Sequence, residues 1–183
     1  MMMLNFKKII KQTLTIASLI FFSTSLLANG IIIPPKGVIE LTPRPAPALT
    51  LKNLDGEIYD MRQHQNQWRF VHFWASWCGP CRREMPNIET LTKRMANEPL
   101  AILLINTAET EDTVFSFLAE VAPDLDSLLD LDGQVAESWQ PRGLPSTYLV
   151  DPQSNIRYVV IGGRPWHQPV YENFLRLLIS TSK

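Results

Sequence analysis

Two cysteines three positions apart sit where an aromatic, strand-like run gives way to a helix start: Phe73-Trp74-Ala75-Ser76-Trp77-Cys78-Gly79-Pro80-Cys81. Arg69 to Ala75 is aromatic and β-branched, the pattern of a strand, while apolar residues recur at helical spacing from Arg82 to Met95. A cysteine in the first turn of a helix faces free backbone N–H groups and the positive end of the macrodipole, which favour thiolate over thiol. Cys78 is therefore the expected nucleophile. Cys81, one turn further in, can close a disulfide on Cys78 and release whatever Cys78 has attacked. Pro80 suits an early helical position, where its missing N–H costs nothing. With only 2 cysteines in 183 residues, a Cys-only zinc site and a disulfide-stapled framework are both excluded. A bridge closing about four residues would contribute only about 2 kcal/mol, against about 4.7 kcal/mol for a loop of a hundred. A redox role is thus favoured over a staple or a two-thiol metal site.

The rest of the chain is organised around this segment. Lys7, Lys8 and Lys11 precede an acid-free stretch from Leu14 to Leu27, and Ala28 offers a small residue for cleavage, the pattern of a secretory leader over residues 1–28. The second reading is an uncleaved N-terminal membrane anchor. Its weakness is length: Leu14 to Ala28 carries Thr15, Ser18, Ser23, Thr24 and Ser25, and a spanning helix needs roughly 20 mostly apolar residues. Residues 29–47 hold five of the 14 prolines (Pro34, Pro35, Pro43, Pro45, Pro47) and are expected to form an extended arm that scarcely pairs as sheet. Residues 48–183 then form one α/β domain. An early hairpin is expected from Ala48–Leu51 and Glu57–Met61 around the Asn53-Leu54-Asp55-Gly56 turn, with further strands at Leu100–Thr107, Thr147–Val150 and Ile156–Ile161. Helical spacing marks Thr113–Val121, Gln134–Trp139 and Val170–Ile179, so strands alternate with helices. With 17 Lys+Arg against 18 Asp+Glu, no basic field exists to hold nucleic acid. Residues 95–141 contain ten acids and no Lys or Arg, which reads first as a solvated face and second as a docking surface for a basic partner.

From Phe73 through Cys81 to Arg82-Arg83-Glu84-Met85-Pro86 the sequence resembles the active-site segment of the exported thioredoxin-like thiol:disulfide oxidoreductases of the TlpA, ResA and DsbE (CcmG) type. Gly143-Leu144-Pro145-Ser146-Thr147-Tyr148-Leu149-Val150-Asp151-Pro152 is similar to that family's segment carrying a cis-proline beside the disulfide. The resemblance covers Pro47 to the C-terminus. It implies a thioredoxin fold, a central mixed sheet flanked by helices, with the N-terminal hairpin and an extra strand and helix inserted between Leu100 and Asp132. Physically, a cis-proline donates no backbone hydrogen bond, so Leu144 beside Pro145 would leave backbone free for a substrate chain to add as a short strand. Trp77, Gly79, Pro80, Leu144 and Pro145 are the expected substrate contacts.

Two polar residues carry most of the remaining information. On a helical wheel, Glu84 falls within the apolar arc of Met85, Ile88, Leu91, Thr92 and Met95, on the face of Cys81, whereas Arg83 points away. A carboxyl on a core-facing arc is costly unless it is paired or useful, which makes Glu84 the candidate proton acceptor for Cys81. The resemblance implies the same, since an acid at this place takes part in the family's proton chemistry. The competing reading is a charge that reaches solvent. His72 lies in the strand leading to the cysteines, where thioredoxins resemble one another in carrying an aspartate and this branch carries an uncharged polar residue. It is read as a satisfied core histidine or as a member of a proton relay. Spacing gives neither His64 nor His167 a metal partner.

The expected function is that of a periplasmic protein-disulfide reductase needing no bound organic cofactor beyond the Cys78/Cys81 pair. Its partners would be protein thiols and disulfides, and the resemblance implies a membrane dithiol reductant of the DsbD type as electron donor. A specialised cytochrome c maturation reductant is the alternative within this class. A copper-handling module, with both thiolates and a histidine on Cu(I), is the alternative outside it.

Overall fold

The computed structural model describes residues 32–63 and 65–181; the segment expected to be a leader, the first residues of the expected arm, His64 and the last two residues lie outside them. In chain order the strands are β1 (Val38–Pro45), β2 (Thr50–Asn53), β3 (Ile58–Asp60), β4 (Trp68–Trp74), β5 (Leu100–Thr107), β6 (Leu128–Asp130), β7 (Ser146–Val150) and β8 (Asn155–Ile161). The helices are α1 (Gly79–Met95), α2 (Glu111–Val121), α3 (Gln134–Trp139) and α4 (Pro169–Ser180). All eight strands join one sheet in the order β1-β8-β7-β4-β5-β6-β2-β3. Strands β4, β5 and β6 run parallel, and the remaining pairs are antiparallel. A parallel pair needs a crossover: α1 supplies it between β4 and β5, and α2 between β5 and β6. This is the thioredoxin fold, with α2 and β6 as the inserted unit and β2–β3 as the hairpin. Among the described residues no helix is long and apolar enough to cross a membrane.

Every residue of β4 is buried because helices cover both faces of the central sheet. Alternation sorts its side chains. Phe70 and Trp74 face α1, α2 and α4 and pack with Met85, Ile88, Leu91, Phe117, Phe174 and Leu178. Val71 and Phe73 face the other way, onto Ala136 and Trp139 of α3, with Ile105 and Tyr148.

The proline-rich segment departs from expectation, since Val38–Pro45 pairs antiparallel with β8. As an edge strand it needs hydrogen bonds on one side only, which is where proline is tolerated. Pro43 falls in the stretch between Glu40 and Arg44 where the register shifts, and Pro45 is the last residue of the strand. The acidic run is not uniformly a solvated face either. Asp130 is buried, and its carboxylate accepts from the N–H groups of Val135 (3.1 Å) and Ala136 (2.8 Å), closing the N-terminus of α3. Gly133, the residue before that helix, provides no side-chain cap. Asp130→Ala should therefore lower the stability by about 2–4 kcal/mol, as two charge-assisted hydrogen bonds vanish and two N–H groups are left unpaired. A urea midpoint equal to that of the wild type would show that α3 holds without this cap.

Candidate active site

Strand β4 ends at Trp74, and after a three-residue loop Cys78 caps α1 in an extended conformation. Its N–H donates to Ala75 O (3.2 Å), its carbonyl accepts from Arg82 N (3.0 Å), and its sulfur accepts from the Cys81 N–H (3.2 Å). The two cysteines are disulfide-bonded. Cys81 is fully buried, and Cys78 is itself only 5% exposed, although its sequence neighbours Trp77, Gly79 and Pro80 are all exposed. In the reduced protein the same N–H that now meets a disulfide sulfur faces the Cys78 thiolate, together with the helix N-terminus. The two sulfurs thus differ in place: one caps the helix beside exposed residues, and the other is fully enclosed one turn further in.

The loop before Cys78 is held from the inserted unit. Ser76 donates both its backbone N–H (2.7 Å) and its hydroxyl to the Glu109 carboxylate, which also accepts from the Asn106 side-chain amide (2.6 Å). The register explains the meeting, because Trp74 pairs with Asn106 across the parallel β4–β5 ladder. Ser76 and Glu109 then leave the carboxyl ends of neighbouring strands, where functional loops gather in α/β sheets. Sequence reasoning counted Glu109 as one acid among ten. Only the strand pairing separates it from them.

Behind Cys81, Glu84 is 3% exposed and, among the described residues, has no ion pair with a Lys or Arg. One carboxyl oxygen accepts from the Arg164 N–H (3.0 Å), while the other has no hydrogen bond and stands 4.0 Å from His72 Nε2. Burial pushes the Glu84 pKa up to about 7, opposed by the Arg164 N–H, the neighbouring Trp166 indole and the Arg164 charge. The indole leans toward the carboxyl without closing a hydrogen bond. Near neutral pH, Glu84 therefore divides between acid and carboxylate, the condition for an efficient acid–base group. A cleft of about 340 Å³, lined by Pro80, Arg83, Glu84, Asn87, Gly163 and neighbours, connects this carboxyl to solvent. Gly163 lets the opposite wall approach: a Cβ there would lie 3.3 Å from Glu84 Oε2 and 3.6 Å from Pro80 O.

His72 faces the same side of the sheet, stacked on Phe70 at 5.9 Å, with Nδ1 2.9 Å from Thr147 Oγ1. Burial keeps the ring neutral, lowering its pKa to about 3. Its two nitrogens point at Thr147 and Glu84, so the histidine that a copper site would need is directed elsewhere. Among the described residues no three His, Cys, Asp or Glu side chains cluster as metal ligands.

The Leu144–Pro145 bond is cis. Ser146, the next residue, pairs with Phe73 of β4, and Gly162 N donates to Pro145 O (2.8 Å). The carboxyl end of β4 and the start of β7, and with them the two sequence motifs, therefore meet at one end of the central strands. Arg164, Trp166, Thr147 and Gly163 escaped sequence reasoning, since each acts through a contact with a residue more than 70 positions away.

Comparison with known proteins agrees with this geometry. The AhpC/TSA family model matches residues 43–159. The thiol-disulfide oxidoreductase ResA of Halalkalibacterium halodurans is 30% identical over 128 residues, covering 70% of this chain and 72% of that protein. The ResA of Bacillus subtilis is 27% identical over 117 residues, covering 64% of this chain and 65% of that protein, so the match spans just under two thirds of its length. Among solved structures, a thiol:disulfide interchange protein of the thioredoxin family from Chlorobium tepidum is similar in fold, with a TM-score of 0.64 at 19% identity over 77% of this chain and 99% of that one.

Proposed function

The chain belongs to the AhpC/TSA family and, within it, to the thiol-disulfide oxidoreductases of the ResA type, and from that premise we propose that it is a protein-disulfide reductase working outside the cytoplasm. Reduced Cys78, as thiolate, attacks one sulfur of a substrate disulfide; that bond breaks, the first substrate thiolate leaves, and a mixed disulfide forms. Cys81 then gives its proton to the Glu84 carboxylate and attacks the Cys78 sulfur, releasing the second substrate thiolate. Two electrons have passed to the substrate, and the Cys78–Cys81 disulfide remains. A dithiol protein must restore the pair, and a membrane reductant of the DsbD type is the donor that the family resemblance favours. No bound organic cofactor enters these steps. Trp77, Gly79, Pro80, Leu144 and Pro145 form the rim that receives the substrate chain, and the leader sequence supports export to the periplasm.

The observation that carries the reducing direction is the buried Glu84 carboxyl on the Cys81 face of α1. A thiolate at Cys81 shares its buried helix face with a group that itself becomes negative, which offsets part of the stabilisation that the helix terminus gives a Cys78 thiolate in the reduced form. Equilibrating the protein with glutathione and dithiothreitol buffers, with the two redox states separated by alkylation, should give a potential nearer that of thioredoxin, about −270 mV, than that of DsbA, about −120 mV. A value near the latter would make the protein an oxidant and overturn the reading.

A further inference from the structure

The side chains of His72 and Thr147 face each other across the β4–β7 ladder as a direct register pair. Both are buried, and the hydroxyl lies 2.9 Å from Nδ1. That contact permits two arrangements. If the ring donates from Nδ1, the Thr147 hydroxyl proton has no acceptor among the described residues, and the Nε2 lone pair confronts a carboxyl oxygen that also lacks a partner. If the hydroxyl donates to Nδ1, the single proton of the neutral ring sits on Nε2 and points at Glu84 Oε2, 4.0 Å away. Both protons of the pair are then directed at acceptors, and only this arrangement avoids an orphaned hydroxyl proton.

We propose that Thr147 and His72 form a positioning pair for Glu84: the Thr147 hydroxyl fixes the Nε2–H tautomer of a permanently neutral His72, which offers that N–H to the Glu84 carboxylate whenever it awaits the Cys81 proton. This rests on the reading of Glu84 as the base. The proton count is simple. The proton leaving Cys81 ends on Glu84, and the histidine neither gains nor loses one. Around Glu84 are His72 from β4, the Arg164 N–H and charge together with the Trp166 indole from the β8–α4 connection, Cys81 on its own buried helix face, and Arg83 on the wall of the adjoining cleft. His72 is the one neutral ring N–H among them whose direction another side chain sets. An N–H given to the carboxylate favours its charged form, so losing it moves the protonation midpoint of Glu84 upward.

Two measurements test the pair on the full chain. Nitrogen-15 NMR of the imidazole should show a protonated Nε2 and an unprotonated Nδ1 from pH 6 to 9; the Nδ1–H tautomer, or an imidazolium in that range, overturns the proposal without any variant. Stopped-flow resolution of the mixed disulfide should then show its pH midpoint raised by about one unit in His72→Phe, equivalent to about tenfold less base below the midpoint. In Thr147→Val, where the tautomer is no longer fixed, the shift should be smaller, while Thr147→Ser keeps the wild-type profile. Phenylalanine suits the stacked, apolar side of Phe70, and His72→Gln, which retains an N–H donor, should recover part of the shift. If Glu84→Gln abolishes the pH-dependent limb but His72→Phe leaves its midpoint unmoved, this proposal fails and the role of Glu84 stands. If Glu84→Gln leaves the limb intact, the underlying reading fails first.

Discussion

Cys78→Ser should reduce no substrate at all, whereas Cys81→Ser should stop one step later with substrate covalently attached. The asymmetry follows from position on one helix. Cys78 is the N-cap, its sulfur already meeting the Cys81 N–H, and a thiolate there gains from the helix terminus. A serine hydroxyl at that place remains protonated near neutral pH and cannot open a disulfide. Cys81 is fully buried, so it meets the substrate only through Cys78, and its removal leaves the first attack intact while denying the second. Mass spectrometry of each variant after mixing with an oxidised protein substrate should find an adduct on Cys81→Ser and none on Cys78→Ser. In the reduced wild type, iodoacetamide at mildly acidic pH should label Cys78 first. An adduct carried by Cys81 in the Cys78→Ser variant would reverse the assignment of the pair.

Glu84→Gln should slow release from the mixed disulfide about ten- to a hundredfold or more near neutral pH, the usual cost of losing a general base. Cys81 must lose its proton in a place where burial disfavours thiolate, and Glu84, three residues on along the same buried helix face, is the carboxyl available to take it. In the wild type the rate should rise through the Glu84 midpoint of about 7; in the variant that limb should vanish. Stability supplies an independent check. Because burial raises the folded-state pKa of Glu84 above its unfolded value, this carboxyl imposes no penalty below about pH 4.5 and a growing one as the pH climbs from there through about 7. The glutamine variant of the oxidised protein carries no such penalty. It should match the wild type at pH 4 and exceed it by up to about 3 kcal/mol at pH 9, as a shift of this size implies. His72 is present in both proteins, so its own pH term cancels from the comparison at each pH. Parallel urea curves at the two pH values decide this, and equal stability at pH 9 would show that the carboxylate is solvated.

The chain sequence by itself determined the chemistry of the cysteine pair and the side of the helix on which Glu84 lies. Both are local: a strand pattern, a three-residue loop, an early helical proline and a 3.6-residue period place Cys78 at a helix terminus and put Cys81 and Glu84 on one face, as observed. The same short-range signals located the α1–α4 helices and the β4, β5, β7 and β8 strands to within a few residues. They failed where pairing over distance decides. Strand β1 was hidden by its prolines, which an edge position tolerates and a central one does not, and three-residue β6 is too short to show a period. Alternation put His72 on the side of Phe70 and Trp74 but could not say which sheet face that was. Packing against α1 answered, setting its Nε2 toward Glu84, while the β4–β7 register brought Thr147 to its other nitrogen. Glu109 became a clamp on the Ser76 loop because the parallel register aligns Trp74 with Asn106. In these cases cross-strand register joins residues from 32 (Trp74 and Asn106) to 122 (Val38 and Val160) positions apart, and a side chain's neighbours at that range depend on the pairing of whole strands, which no window of local sequence contains.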